Sequence, residues 1–311
     1  MLYQEMIPTI FFIGVSTKKS SIMNVFPRWV KILNLNADIV GVDIPIHAAS
    51  ENYVSIVRHI KENPLAVGAL VTTHKVDLLR ATCHLFDQID QYAEICQEVS
   101  CISKREGRLI GHAKDPISSG LTWQEFVEPG HWRNTGGHVL CFGAGGAAAA
   151  ISIYVALLSS PDDRPEKFVI VNRSQPRLDF IKEMHSKLKT NVQFEYILNS
   201  NASRNDNIMS TLPAGSLVIN ATGMGKDRPG SPITDNGEFP MNGLAWDLNY
   251  RGELDFLHQA ERQTKNNNIK VEDGWVYFIH GWSQVISEVF KVELTSELLT
   301  KLKESAESLP D

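Results

Sequence analysis

The chain of 311 residues reads as an α/β protein of two domains. Three observations predict this. Apolar runs of strand length alternate with segments of helical spacing, and that alternation implies mainly parallel sheets joined by crossovers. A polar segment rich in glycine and proline, Glu128–Gly137, separates two such series. The length is also sufficient for two separate cores.

In the first series, Ile10–Gly14 has the apolar run of a strand and Ile22–Leu33 the apolar spacing of a helix. Asp38–Val42 follows as a strand and Ser50–Glu62 as a helix. Pro64 interrupts the pattern before a third strand, Ala66–Val71. In the second series the predicted strands are Val139–Phe142, Phe168–Val171, Phe194–Ile197, Leu217–Asn220 and Gly243–Leu248, with helices in most intervals. Trp275–Val292 has helical character, and 295–308 reads as a final amphipathic helix. The predicted domains are 1–120, completed by 276–311, and 121–275.

Composition narrows the function class. The chain is 43% hydrophobic and 21% charged, with a formal charge of -6. That balance suits a soluble globular protein and gives no basic field for nucleic acid. Cys83, Cys96, Cys101 and Cys141 have no spacing for zinc or for a disulfide framework, and no other cluster has convincing metal-ligand spacing, so no metal is expected. Cys141 lies in an apolar strand, where a buried free thiol is the common outcome. The apolar run Ile7–Val15 is too short to span a membrane and lacks the basic start of a signal peptide. The expectation is a cytoplasmic protein in a reducing compartment, with no membrane partner.

Candidate chemistry begins where Val139–Phe142 runs into Gly143-Ala144-Gly145-Gly146-Ala147. Glycines in a strand-to-helix turn let backbone N–H groups approach a pyrophosphate at the helix N-terminus. The turn therefore predicts a Rossmann-type dinucleotide site, with Ala147–Leu158 as the small-residue helix behind it. An acidic residue at the end of the next strand would favour the unphosphorylated cofactor. Here that position reads Asn172-Arg173-Ser174-Gln175-Pro176-Arg177. Arg173 and Arg177 can bracket a 2′-phosphate, with Ser174 as a further donor, which predicts NADP. Ser174 also suits the N-cap of the following helix, with Pro176 in its first turn.

Lys75 closes Ala-Leu-Val-Thr-Thr-His-Lys, and Asp115 closes Gly-His-Ala-Lys-Asp shortly before the glycine turn. A lysine, a carboxylate and a dinucleotide site suit hydride transfer between an alcohol and a ketone. Taken alone, the two residues would also suit a surface ion pair.

Together these motifs resemble the shikimate dehydrogenase family over most of the chain. The family's catalytic lysine closes Asn-Val-Thr-x-Pro-His-Lys, which Lys75 matches, and its partner aspartate closes Gly-x-Asn-Thr-Asp, which Asp115 matches. Its glycine turn corresponds to Gly143–Ala147, and its NADP-reading segment to Asn172–Arg177. Asn220-Ala221-Thr222-Gly223-Met224-Gly225 resembles the segment near the nicotinamide, which implicates Thr222, Gly223 and Met224. Asp247-Leu248-Asn249-Tyr250 matches an Asp-x-x-Tyr motif. The resemblance implies an α/β substrate-binding domain followed by the nucleotide domain, with C-terminal helices returning to the first. It also leaves room for a homodimer, which no motif establishes.

Departures concentrate at the family's substrate contacts. Its Ser-x-Ser falls on Lys18-Lys19-Ser20, so Lys18 and Ser20 become candidate contacts for a substrate carboxylate; a shifted alignment would recruit Ser16, Thr17 or Ser21. The Asn and Thr of the lysine strand become Ala69 and Val71, and a later asparagine becomes Ser100, which stands as a candidate substrate contact. The glutamine of the C-terminal helix becomes Gly281, with Gln284 nearly one turn on. Tyr250 is a candidate hydrogen-bond donor to the substrate; His74, His112 and His280 lie nearby in sequence.

The expected function is an NADP-dependent oxidoreductase of a small, polar, acidic cyclic substrate, not specific for shikimate. Lys75 would exchange the hydroxyl proton, and Asp115 would orient it and bond a neighbouring hydroxyl. The alternatives are a non-catalytic binding or regulatory protein of the same fold, and an NAD-linked enzyme of quinate-like substrates.

Overall fold

The computed structural model describes residues 5–226 and 228–307. The chain divides into two compact units, Met1–Lys114 with Gly281–Asp311, and Asp115–His280. The divisions fall after residues 114 and 280 rather than after 120 and 275. The reason lies in the helix Asp115–Phe126, which belongs to the second unit. A Cβ on its Gly120 would lie 2.3 Å from the ring of Tyr154, and Trp123 lies 5.4 Å from the ring of Trp132. Glu128–Gly137, expected as a connector, is also part of this unit. It carries the short helix His131–Thr135, buries Trp132, and sets His131 Nε2 2.7 Å from the carbonyl oxygen of Gly215.

The first unit contains β1 (Thr9–Gly14), β2 (Asp38–Asp43), β3 (Ala66–Val71), β4 (Gln88–Ile89), β5 (Cys101–Arg105) and β6 (Arg108–His112). They form one sheet in the order β2-β1-β3-β5-β6-β4. β1 is buried at every position, which explains its unbroken apolar run. The first three strands match the sequence pattern and pair in parallel. The second half departs from it, because β5 pairs antiparallel with both β3 and β6. Glu106 and Gly107 turn the β5–β6 hairpin, both at positive φ (51° and 80°), the geometry that a two-residue hairpin turn requires. Despite this reversal, β1, β2, β3, β4 and β6 all direct their carboxyl ends to the same edge.

The returning segment completes this unit. The helix Ser296–Glu307 docks on Ile22–Ile32, where the indole N–H of buried Trp29 donates to the carbonyl of Leu302 at 3.0 Å. Of the tail predicted as a helix, Ser308 lies outside the described residues.

The second unit has β7 (Val139–Phe142), β8 (Lys167–Asn172), β9 (Gln193–Leu198), β10 (Leu217–Asn220), β11 (Leu244–Asp247) and β12 (Lys270–Glu272). All are parallel, in the order β12-β11-β10-β7-β8-β9. This is the doubly wound arrangement in which strand order reverses between the first strand and the fourth, here β7 and β10. Leu140, Phe142, Val218, Ala245 and Phe256 form the core on one face. The small-residue helix runs from Gly146 to Ile153 and then widens into a π-turn, Tyr154–Leu158, closed by a bond from Ser159 N–H to Tyr154 O at 2.9 Å.

Candidate active site

In the second unit the candidate residues gather at the point where strand order reverses. Gly143 leaves β7 with φ of 111°, and a Cβ there would lie 2.5 Å from the carbonyl oxygen of Ala221 just beyond β10. Both constraints require glycine. Gly145 is the N-cap of the helix Gly146–Ile153, and Ala144 is buried beside it. A Cβ on Gly145 would meet only the guanidinium of Arg177, at 3.6 Å, so that cation lies over the glycine turn. Gly146 and Ala147 form the first turn of the helix, where backbone N–H groups face outward along its axis.

Arg177 lies in the first turn of the helix Gln175–Ser186, which follows β8. Arg173 and Arg177 are both exposed. Ser174 occupies the N-cap, but its side chain makes no capping bond. Asn172 Nδ2 donates to the carbonyl of Ser174 at 3.3 Å and holds the turn between strand and helix.

Thr222, Gly223 and Met224 follow β10 at the other side of the reversal point and are half-buried. Their backbone is tied by a buried polar network. Asp247, fully buried at the end of β11, accepts at Oδ1 from Asn220 Nδ2 (3.1 Å) and from Asn249 Nδ2 (2.8 Å) and N–H (3.0 Å). The same two carboxamides donate to the carbonyl of Met224, at 3.2 Å and 2.9 Å. Asn220 Oδ1 accepts from the N–H and hydroxyl of Thr222 at 3.2 Å and 2.6 Å. Burial pushes Asp247 up to about 6, against these bonds, which act the other way. The sequence reading assigned no role to Asp247, Asn220 or Asn249. Their signal was present as polar residues at the ends of two apolar strands, inside the Asn220–Gly225 and Asp247–Tyr250 motifs.

Tyr250, the residue after Asn249, is half-buried. Its ring stands against Trp275 at 5.3 Å and Phe278 at 5.1 Å, with the Arg251 guanidinium 5.8 Å above it. His280 is buried, with Nε2 2.5 Å from Glu125 Oε1.

In the first unit the carboxyl edge of the sheet carries Lys75, Ser100, Lys18 and Ser20, whereas Asp115 opens the second unit. Such edges are where open α/β sheets bind ligands. Lys75 is half-buried and opens the helix Lys75–Thr82 after β3. Thr73, two residues before it, has φ of 58°, which a β-branched residue rarely adopts. His74 is buried and clamped: its Nε2–H donates to Ile44 O at 2.8 Å, which leaves Nδ1 to accept from the Tyr53 hydroxyl at 3.1 Å.

Ser100 is buried between the ends of β3 and β6. Its carbonyl accepts from Val71 N–H, and its N–H donates to His112 O, both at 2.9 Å. Its hydroxyl oxygen accepts from the N–H of Lys114 at 2.9 Å, which fixes the residue preceding Asp115. Glu288 holds the side chain of that lysine at 2.6 Å and also pairs with Arg105 at 2.8 Å. These partners keep the Glu288 carboxyl below its ordinary range despite its burial. His112 bridges Asp90 Oδ2 (3.2 Å) and Ser103 Oγ (2.8 Å). Asp115 is half-buried and opens its own helix, where the dipole favours a carboxylate.

After β1, Lys18 is exposed and Ser20 half-buried. Thr17 donates both its N–H and its hydroxyl to Asp43 Oδ1, at 2.7 Å and 2.6 Å. Those bonds, with the nearby Lys18 ammonium, keep Asp43 below the ordinary carboxylate range. Ala69 and Val71, where the family has polar residues, are buried in β3. Nothing lies within 4 Å of the position a Cβ would take on Gly281.

No family model matches the chain. Among curated proteins it is 25% identical over 224 residues to the shikimate dehydrogenase (NADP(+)) of Lactococcus lactis, covering 72% of this chain and 73% of that protein. It is 24% identical over 259 residues to the shikimate dehydrogenase (NADP(+)) of Nitrosopumilus maritimus, covering 82% and 84%. Among solved structures, the 5-ketofructose reductase of Gluconobacter aligns with a TM-score of 0.72 at 21% identity, covering 96% of this chain and 98% of that one. The shikimate 5-dehydrogenase of Listeria monocytogenes, solved with shikimate and NAD, aligns with a TM-score of 0.72 at 17% identity, covering 97% and 98%. No described helix is long and apolar enough to cross a membrane. Motif order, curated relatives and shared fold agree in their likeness to shikimate dehydrogenases.

Proposed function

We propose that the chain is an NADP-dependent oxidoreductase that interconverts a secondary alcohol and a ketone on a small, polar, cyclic hydroxy acid. The carrying observation is the cation of Arg177 over the glycine turn, with Arg173 and no carboxylate at the end of β8. That donor set fits a nucleotide with a 2′-phosphate. Backbone N–H groups at Gly146 and Ala147 would take the pyrophosphate, and Arg173, Arg177 and Ser174 the phosphate on the ribose. When bound, NADP supplies the hydride acceptor or donor.

The rest of the chemistry belongs to the chain. Lys75 Nζ takes the hydroxyl proton as the substrate carbon is oxidised, and returns it in reduction. Asp115 accepts from a neighbouring substrate hydroxyl and orients the lysine. Lys18 and Ser20 hold the acid group, and Tyr250 donates to the substrate. Ser100 keeps Lys114, and so the start of the Asp115 helix, in place. The family's polar positions on β3 are apolar here, and Thr17 spends its donors on Asp43. A site stripped of hydroxyl contacts loses its preference by orders of magnitude, so the substrate is one other than shikimate.

The test is NADP-linked turnover across shikimate, quinate, amino-substituted analogues, keto sugars and their reduced forms. A solved structure named 5-ketofructose reductase supports the sugar members. Lys75→Ala should lower kcat by about 10²- to 10⁴-fold, the usual span for a lost proton-transfer group, with NADPH binding retained. NADPH binding without lysine-dependent turnover would favour a binding protein instead. Absence of any dinucleotide binding would defeat the proposal.

A further inference from the structure

We infer that Asp247 is a positioning residue for the nicotinamide half of the dinucleotide site, acting through Asn220 and Asn249 on the turn Thr222–Met224. The inference rests on the reading of the second unit as an NADP site. Its basis is the direction of each hydrogen bond.

A carboxylate accepts and cannot donate, so Asp247 Oδ1 forces the NH₂ groups of Asn220 and Asn249 toward itself. Each NH₂ has a second hydrogen, and in both cases it reaches the carbonyl of Met224. With its NH₂ so placed, Asn220 must present Oδ1 to Thr222, whose N–H and hydroxyl both donate to it. The Thr222 hydroxyl oxygen then accepts from Met224 N–H at 3.1 Å. One buried carboxylate thus fixes two amide orientations, and these fix both ends of the turn.

The turn has little other freedom. Gly223 has φ of 73°, and the preceding Ala221 abuts Gly143 across the reversal point. In a doubly wound sheet each half carries one mononucleotide. β7–β9, with the glycine turn and both arginines, form the adenine half. β10–β12 form the other, and Thr222–Met224 is its nearest turn to the crevice. Asp247 Oδ2 is buried and takes no part in the bonds to Asn220 and Asn249, so a proton taken up there leaves Oδ1 free to accept. The network therefore keeps its direction in either charge state.

Leucine at 247 would keep the shape but remove the acceptor at Oδ1. The two carboxamides would then lose what orients them, and Met224 O or Thr222 would lose its partner. Full-length wild type and Asp247→Leu should be titrated with NADPH and with 2′,5′-ADP, which carries only the adenine-side groups. We expect Asp247→Leu to weaken NADPH binding about 5- to 50-fold while 2′,5′-ADP binding stays within about 2-fold, the span of losing one or two bonds at about 1 kcal/mol each. Equal affinity of variant and wild type for NADPH would overturn the inference, and so would parallel losses for both ligands. Wild type that binds neither ligand would instead defeat the NADP reading itself. Asn249→Ala removes one donor to Met224 O and leaves the carboxylate. It should show the same selective loss in smaller measure, and serves if Asp247→Leu does not fold.

Discussion

Two buried titratable groups of the second unit act on stability in opposite directions. Burial pushes Asp247 up to about 6, so the stability tied to its protonated form is full below the unfolded carboxylate value, ~4, and is lost as pH rises through about 6. Burial pushes His185 down to about 3; its ring lies against Phe194 and bonds Ser152 and Tyr196. Its contribution is full above the unfolded histidine value, ~6.5, and is lost as pH falls toward about 3. Between those limits the two slopes offset. In Asp247→Asn only the histidine slope remains. From pH 6 to 4 wild type should therefore gain on the variant by roughly 1.4 kcal/mol per pH unit, read as urea midpoints. A difference independent of pH would contradict the assignment. At Arg177 the expectation concerns the cofactor. Arg177→Ala should raise KM for NADP about 10- to 100-fold and leave NAD unaffected, since bonds to charged groups contribute ~1.5–3 kcal/mol. Equal effects on both dinucleotides would separate Arg177 from the 2′-phosphate.

At the level of elements, two glycines with positive φ separate strain from contact. Gly107, in the β5–β6 turn, has nothing within 4 Å of its Cβ position, whereas Gly143 faces the carbonyl of Ala221. Gly107→Ala should lower stability by about 1–2 kcal/mol, the cost of a left-handed residue, and leave dinucleotide binding intact. Gly143→Ala should cost more and weaken NADPH binding at least tenfold, measured by urea melts and ligand fluorescence. That hairpin also marks the boundary of what periodicity could reveal. β1, β3, β7 and β10 were legible because a strand buried on both faces is a continuous apolar run. β5 and β6 carry Lys104, Arg105 and His112, whose partners lie elsewhere in the unit, so their alternation is masked. Glu106-Gly107 was the surviving signal.

Across the whole molecule, Lys75, Asp115 and the glycine turn were legible because each belongs to a local motif. The Asp247 network was not, because β10 and β11 become neighbours only through sheet order. The tie between Lys114 and Glu288 likewise joins residues far apart in the chain. One unit is a continuous stretch, Asp115–His280, and the other is assembled from both ends. A fragment of residues 115–280 should fold alone and bind 2′,5′-ADP with wild-type affinity, without turnover; its failure to fold would show that the two units are thermodynamically inseparable.

The same division bears on biosynthesis. Domains ordinarily mature in the order in which the ribosome delivers them, N-terminal first. Here every strand of the first sheet emerges early, but Leu302, which receives the indole N–H of Trp29, is made only after the whole of the second unit. The middle of the polypeptide has all its own strands and helices before then. Chains truncated after residue 285 and released should therefore resist protease across 115–280 while the leading segment stays cleavable.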